Sequence, residues 1–239
     1  MTKFKLKLAD RVVNIESRFD SLLKFCEKFL YDGNEEDFAV SVTDEQIQRE
    51  KEVSQFATTD SYAESTCIYR AIAENLPTYD AFVFHGAAIT YRDRGFVFTA
   101  PSGTGKSTHI KLWKKYIGSL VDIVNGDKPI IKCEAGRFLV CGSPWSGKEN
   151  WGKNRKAPLS AICIIEQSAE NSITLLAPGD AVKRLLLQTY RPKKLEAYLA
   201  TLELIDKLLS NTPVYLLRCD MSEDAVKTSF EALTGEEYK

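Results

Sequence analysis

The stretch Thr99-Ala100-Pro101-Ser102-Gly103-Thr104-Gly105-Lys106-Ser107-Thr108 constrains this chain more than any other. An apolar run, Phe96-Val97-Phe98, precedes it and reads as a strand. Ile110, Trp113 and Ile117 follow at spacings of three and four and read as one face of a helix. A glycine-rich turn between a strand and a helix is the setting of a phosphate loop. Gly103 and Gly105 free the backbone to point successive N–H groups into one hollow. The helix start adds its own unpaired N–H groups and the positive end of its dipole. In such a loop Lys106 reaches the β- and γ-phosphates of a nucleotide, and Ser107 offers a hydroxyl oxygen to a divalent ion. The expected nucleotide-binding set is Ser102, Gly103, Thr104, Gly105, Lys106, Ser107 and Thr108. Ala100 stands where phosphate loops usually open with glycine.

Other residues gain meaning from their place around this turn. Leu120 to Val124 reads as a buried strand ending at Asn125-Gly126-Asp127. A carboxylate at a strand end can hold a metal shell or accept a proton from a nucleophilic hydroxyl, although aspartate after Asn-Gly is also common turn chemistry. His85-Gly86 ends an earlier strand, and a histidine there can hydrogen-bond a carboxylate and tune it. His109, in the first helical turn after the loop, is expected on the helix surface, with contact to adenine or ribose as the alternative. The stretch 142–156 holds three glycines, two tryptophans and several cations without strand or helix periodicity. Long structureless loops in compact domains are usually functional or disordered, and the tryptophans argue against plain disorder; Lys148, Lys153 and Arg155 are expected to clamp phosphate oxygens as charge shifts during transfer.

The rest of the chain reads as one α/β domain. Residues 1–78 supply strands and helices packed on the core, 79–177 the nucleotide-binding core, and 178–239 C-terminal helices and a strand. Residues 3–16 alternate as a hairpin, 21–30 has helical spacing, and 38–42 reads as a strand. Thr43 and Gln46 form a capping-box pattern opening a helix over 44–55. A further helix over 60–75 is expected to bury Tyr62, Tyr69, Ile72 and Leu76. Hairpins flank the phosphate loop, so the expectation is a mixed β-sheet with flanking helices and not a doubly wound fold. A net charge of −1 gives no general pull toward nucleic acid or an anionic membrane. The six cysteines are scattered without Cys-x-x-Cys and read as free thiols. No long apolar leader is visible at the first residues, so the expected location is cytoplasmic. An oligomer is compatible with the sequence.

His85-Gly86, Ser102-Gly103-Thr104-Gly105-Lys106-Ser107-Thr108 and Asn125-Gly126-Asp127-Lys128-Pro129 follow one another in a fixed order. With Gly142-Ser143-Pro144-Trp145-Ser146-Gly147-Lys148 and Ala157-Pro158-Leu159, they make the chain resemble the HPr kinase and phosphoenolpyruvate carboxykinase superfamily. It is most similar to the small HPr serine kinase-like proteins of bacteria. The resemblance implies a phosphate-loop core of that type, ATP with Mg²⁺ or Mn²⁺, and phosphoryl transfer to a hydroxyl on a protein, a peptide or a small molecule. It implies catalytic roles for Lys106, Asp127 and His85, and metal contacts from Ser107 and Asp127. HPr kinases carry two adjacent aspartates where this chain has Gly126-Asp127. The sequence therefore leaves open a nucleotide-dependent regulatory module with little catalysis. A carboxykinase activity would need a metal- and oxaloacetate-binding half for which the chain has no room.

Overall fold

The structure is a computed structural model that describes residues 1–54 and 56–239. Its N-terminal layer begins with β1 (Thr2–Leu8) and β2 (Arg11–Ser17), paired antiparallel across a turn in which Ala9 and Asp10 both adopt positive φ. The apolar alternation of the sequence puts Leu6, Leu8, Val13 and Ile15 in the interior. With β3 (Leu30–Tyr31) and β4 (Phe38–Ser41) these strands form a four-stranded sheet in the order β3-β1-β2-β4.

Three helices cover this sheet: α1 (Asp20–Phe25), α2 (Asp44–Val53) and α3 (Asp60–Asn75). The capping box forms as the sequence predicts. The Gln46 N–H donates to Thr43 Oγ1 at 3.3 Å, and the Thr43 N–H donates to Gln46 Oε1 at 2.7 Å. The expected last residue of α2, Gln55, lies outside the described residues. In α3 the buried face is set by Ala63, Ile68 and Ile72; Tyr62, one residue before Ala63, turns to solvent and is 67% exposed. That corrects its expected place in the core stripe. Glu64 on the same helix is fully buried, and its carboxylate accepts from Ser17 Oγ and the Arg18 N–H, both at 2.7 Å. A buried carboxylate is tolerable only with such donors.

The larger sheet is built from β5 (Ala81–Val83), β6 (Ala87–Tyr91), β7 (Arg94–Thr99), β8 (Val121–Asn125), β9 (Ile130–Glu134), β10 (Arg137–Cys141), β11 (Lys156–Gln167), β12 (Ser172–Leu175) and β13 (Val214–Cys219). Its order is β5-β9-β10-β11-β7-β6-β8, with β13 joining β11 and β12 joining β13. The β7–β11 and β11–β13 pairs are parallel and the rest are antiparallel. This is the expected mixed sheet. β8 starts one residue later than the apolar run suggests, because Leu120 belongs to a short 3-10 turn and is exposed.

Helices α4 (Lys106–Ile117) and α7 (Glu223–Thr234) cover one face of this sheet, and α5 (Pro178–Gln188) and α6 (Leu195–Asn211) the other. The side-chain period of two sorts the strands between them. Phe96 and Phe98 of β7, with Ala161, Cys163 and Ile165 of β11, pack with Trp113 and Phe230; Val97, Ile162 and Ile164 pack with Leu185, Leu204 and Leu208. A third cluster runs from the N-terminal sheet into Ala81, Val83, Ile130 and Cys141, so both sheets share an apolar interior. All six cysteines are free thiols. Among the described residues, no helix is long and apolar enough to cross a membrane.

Candidate functional site

The turn between β7 and α4 has the backbone that its glycines predict. Gly103 and Gly105 sit at φ of 82° and 116°, and a Cβ at either would meet no atom within 4 Å. The requirement for glycine is therefore conformational and not steric. Thr104 closes the turn, donating from its N–H and its hydroxyl to the Pro101 carbonyl at 3.3 and 2.9 Å. No side chain caps the N-terminus of α4, which leaves its first N–H groups open to an anion. The Lys106 ammonium is folded back on the loop, donating to the carbonyls of Ala100 at 2.8 Å and Pro101 at 3.3 Å. Burial pulls its pKa below the usual 10.5; the negative charge of Asp127 works in the opposite direction, and Lys128 adds to the lowering.

Asp127 is held on the other wall by the end of β8. The fully buried Asn125 accepts the N–H groups of Asp127 and Lys128 on its Oδ1, at 2.8 and 2.7 Å. Its amide nitrogen donates to the carbonyl and hydroxyl of Ser143 at 3.0 and 3.1 Å. One side chain thus sets the turn that carries the carboxylate. His85 Nε2 lies 3.3 Å from Asp127 Oδ1, and Lys128 Nζ lies at the same distance. Burial raises the Asp127 pKa, but the hydrogen bond from His85 and the charge of Lys128 outweigh it, and the group stays below 3.8. His85 is itself placed by the end of α5: its N–H donates to the Gln188 carbonyl at 2.7 Å, and its Nδ1 lies 2.7 Å from Gln188 Oε1.

The loop from Gly142 to Arg155 is ordered against this centre. Ser143 and Ser146 are each only 2% exposed. Trp145 packs on Tyr69 and Phe25 and donates to Ser65 Oγ at 3.2 Å. The loop passes so close to Gly126 that a Cβ there would lie 2.5 Å from the Ser146 carbonyl oxygen and 3.3 Å from the Trp151 ring. The space in which a second aspartate would stand is occupied by backbone.

These walls enclose a cavity of about 390 Å³ lined by His85, Ser102, Gly103, Gly105, Lys106, Ser107, Thr108, Asp127, Lys148 and Glu149, with Gly126, Ser146, Gly147 and Trp151 completing it. Thr104 faces adjoining hollows instead. Lys153 and Arg155 are not part of the cavity. Both pair with Asp122 on β8, which holds them away from the cavity in this geometry. His109 is a second correction. It is 3% exposed, with its ring against Phe98 and Nε2 bonded to Ser229 and Trp113. The sequence alone assigns no role to Asn125, Gln188 or Trp151 in this site. Asn125 was visible as a turn residue; nothing local marks Gln188.

Among the described residues no group of three or more histidines, cysteines or carboxylates could hold a metal. Ser107 and Asp127 fit the habit of Mg²⁺, which takes few protein ligands and completes its shell with water and phosphate oxygens.

No family model and no curated protein sequence matches this chain. Among solved structures, it is similar to the HPr(Ser) kinase/phosphatase from Coxiella burnetii. That match has a TM-score of 0.37 and 10% identity, over 63% of this chain and 94% of the other. The likeness is distant and assigns no activity.

Proposed function

We propose that this protein binds a nucleoside triphosphate with a divalent ion on the 102–108 loop and transfers its γ-phosphoryl group to a hydroxyl acceptor. The observation that carries this reading is one cavity shared by Lys106, Ser107, Asp127 and His85. Phosphoryl transfer asks a protein chiefly to position groups and compensate charge. Lys106 would exchange its loop carbonyls for β- and γ-phosphate oxygens, and the open N–H groups of α4 would hold the rest of the tail. Lys148 lines the same cavity and would meet charge on the transferring group. Mg²⁺ or Mn²⁺, held by Ser107, Asp127 and phosphate oxygens, would neutralise charge on the phosphates. Asp127 is ionised at neutral pH and can orient the acceptor hydroxyl and receive its proton, with His85 fixing the carboxylate. ATP is the proposed donor on the sequence resemblance alone.

Gly126 supports a second reading, a nucleotide-binding regulatory module. Asp127 stands there without an adjacent aspartate at 126, and a positioned base is worth about 10²–10⁴ in rate. Incubation with labelled ATP and hydroxyl acceptors separates the two. Transfer lost in Lys106→Ala with the fold intact supports the phosphotransferase. Tight binding without transfer or hydrolysis supports the module. Failure of every common nucleoside triphosphate to bind overturns both.

A further inference from the structure

Helix α6 turns a second apolar stripe away from the core. Its inner face is Ala197, Thr201, Leu204, Ile205 and Leu208, all buried. On the opposite side Leu195 and Leu199 are 71% and 49% exposed, and the half-buried Leu202 belongs to none of the three apolar clusters. Leu195, Leu199, Leu202 and Asp206 follow one another at spacings of four, three and four. At 3.6 residues per turn this sets them in one line along the helix. The alternation of four and three is the seam of a coiled coil. A surface helix ordinarily needs one apolar stripe, and a helix that is apolar on two sides is built to be covered on both.

The charges along this line indicate what covers it. Asp206 stands exposed at the far end. At the near end Lys193 and Lys194 are exposed, and no side chain caps the first turn of α6. The unpaired N–H groups and the positive end of the dipole therefore add to the lysine charge. Glu196, also in that turn, lies about 100° round the helix from Leu195 and off the seam. The stripe thus carries a negative group at one end and a positive field at the other. Such a helix complements a copy of itself running in the opposite direction. In a parallel pair the two Asp206 carboxylates would face each other across the seam, and like charges there repel.

We propose that the protein pairs with a second copy of itself through α6, antiparallel about a two-fold axis between Leu199 and Leu202. Leu199 of each copy then packs on Leu202 of the other, as an isologous contact requires. Each Asp206 meets the start of the other helix and its Lys194. The helices cross at the shallow angle of about 20° that seams of this spacing favour. Leu195 to Asp206 spans about 17 Å, so the contact is short and the dimer forms reversibly. The pairing is independent of the phosphate-loop reading.

Sedimentation equilibrium at rising concentration tests this on the whole protein. The wild type is expected to pass from monomer to dimer. Leu199→Lys sets a charge in the middle of the seam, outside the core clusters, and is expected to weaken the dimer roughly tenfold or more. Leu175→Lys, at an exposed leucine on β12, is expected to leave it unchanged. Asp206→Lys is expected to weaken the dimer, and adding Lys194→Glu to recover part of the loss. A wild type that stays monomeric at every concentration overturns the proposal. So does a dimer that Leu199→Lys leaves intact, or one that Leu175→Lys breaks as readily. Wild-type association in Asp206→Lys refutes the antiparallel pairing. Should Leu199→Lys not fold, Asp206→Lys and its recovery by Lys194→Glu decide, since both positions are exposed.

Discussion

Replacing Gly126 by alanine adds a single methyl group where the structure leaves no room for it. The new Cβ would stand 2.5 Å from the Ser146 carbonyl oxygen and 3.3 Å from Cε3 of Trp151. Relief requires a shift of about 1 Å, since non-bonded heavy atoms settle at about 3.5–4 Å. The atom in the way is backbone, in a segment anchored by Ser143 and Ser146, each 2% exposed. A flexible side chain could swing aside; this segment cannot. Overpacking of this kind costs about 1–3 kcal/mol. For a chain of this size that corresponds to a fall in Tm of about 2–12 °C. Gly179, in the first turn of α5, is the control. A Cβ there meets nothing within 4 Å, so Gly179→Ala is expected to leave Tm unchanged or raise it slightly. Thermal unfolding followed by circular dichroism compares the two. A Gly126→Ala protein that melts within about 1 °C of wild type would refute the packing argument. It would also reopen the possibility that a second carboxylate fits at this position.

Two further outcomes are expected. His109 titrates near 4 in the folded protein and at 6.5 when unfolded. The unfolded chain therefore binds more protons between those values, and stability should fall by about 3 kcal/mol as pH drops from 6.5 to 4, then level off. Urea titrations across that range should lose this limb in His109→Phe; an unchanged limb assigns it to other groups. Trp151 lines the main cleft, whereas Trp113 is fully buried and Trp145 packs on Phe25 and Tyr69 outside the cavity lining, so nucleotide binding should change tryptophan emission in the wild type and not in Trp151→Phe. A signal retained in the variant would place the ligand elsewhere.

The fold was legible where a period or a turn residue carried the signal. Phe96, Val97 and Phe98 alternate in sequence and face opposite helical layers in space. The dihedral demands at Gly103 and Gly105 could be read from their spacing alone. The charge of Lys153 and Arg155 suggests a phosphate, while the partner they meet, Asp122, lies on a strand distant in sequence. Gln188 had no local signature, because its contact with His85 exists only once the end of α5 docks beside β5. The 142–155 loop lacked periodicity, so its order is a tertiary property of buried serines and Trp145. The burial of His109 is readable from the sequence. This histidine lies four residues before Trp113, on the face that the same spacing argument placed in the core.

The electrostatics of the main cleft bear on which ligands it selects. Lys128 is paired with Asp127, and Glu149 with Lys111 at 2.8 Å. Lys106 donates to two neutral carbonyls, and burial already weakens its hold on its proton. Its desolvation is therefore borne by the free protein and offset only in part. An anionic phosphate entering the cleft would supply stronger, charge-assisted bonds without further desolvation of the lysine. A neutral nucleoside would supply none. Lys106→Met is accordingly expected to match or exceed the wild-type Tm in the free state. At a hundredfold excess of triphosphate over Kd the wild type should gain about 2.7 kcal/mol of stability, and the variant should gain almost nothing at the same concentration. A variant that is destabilised when free, yet still stabilised by triphosphate to the wild-type extent, would show that Lys106 is a structural clamp on the loop and that the anion binds without it.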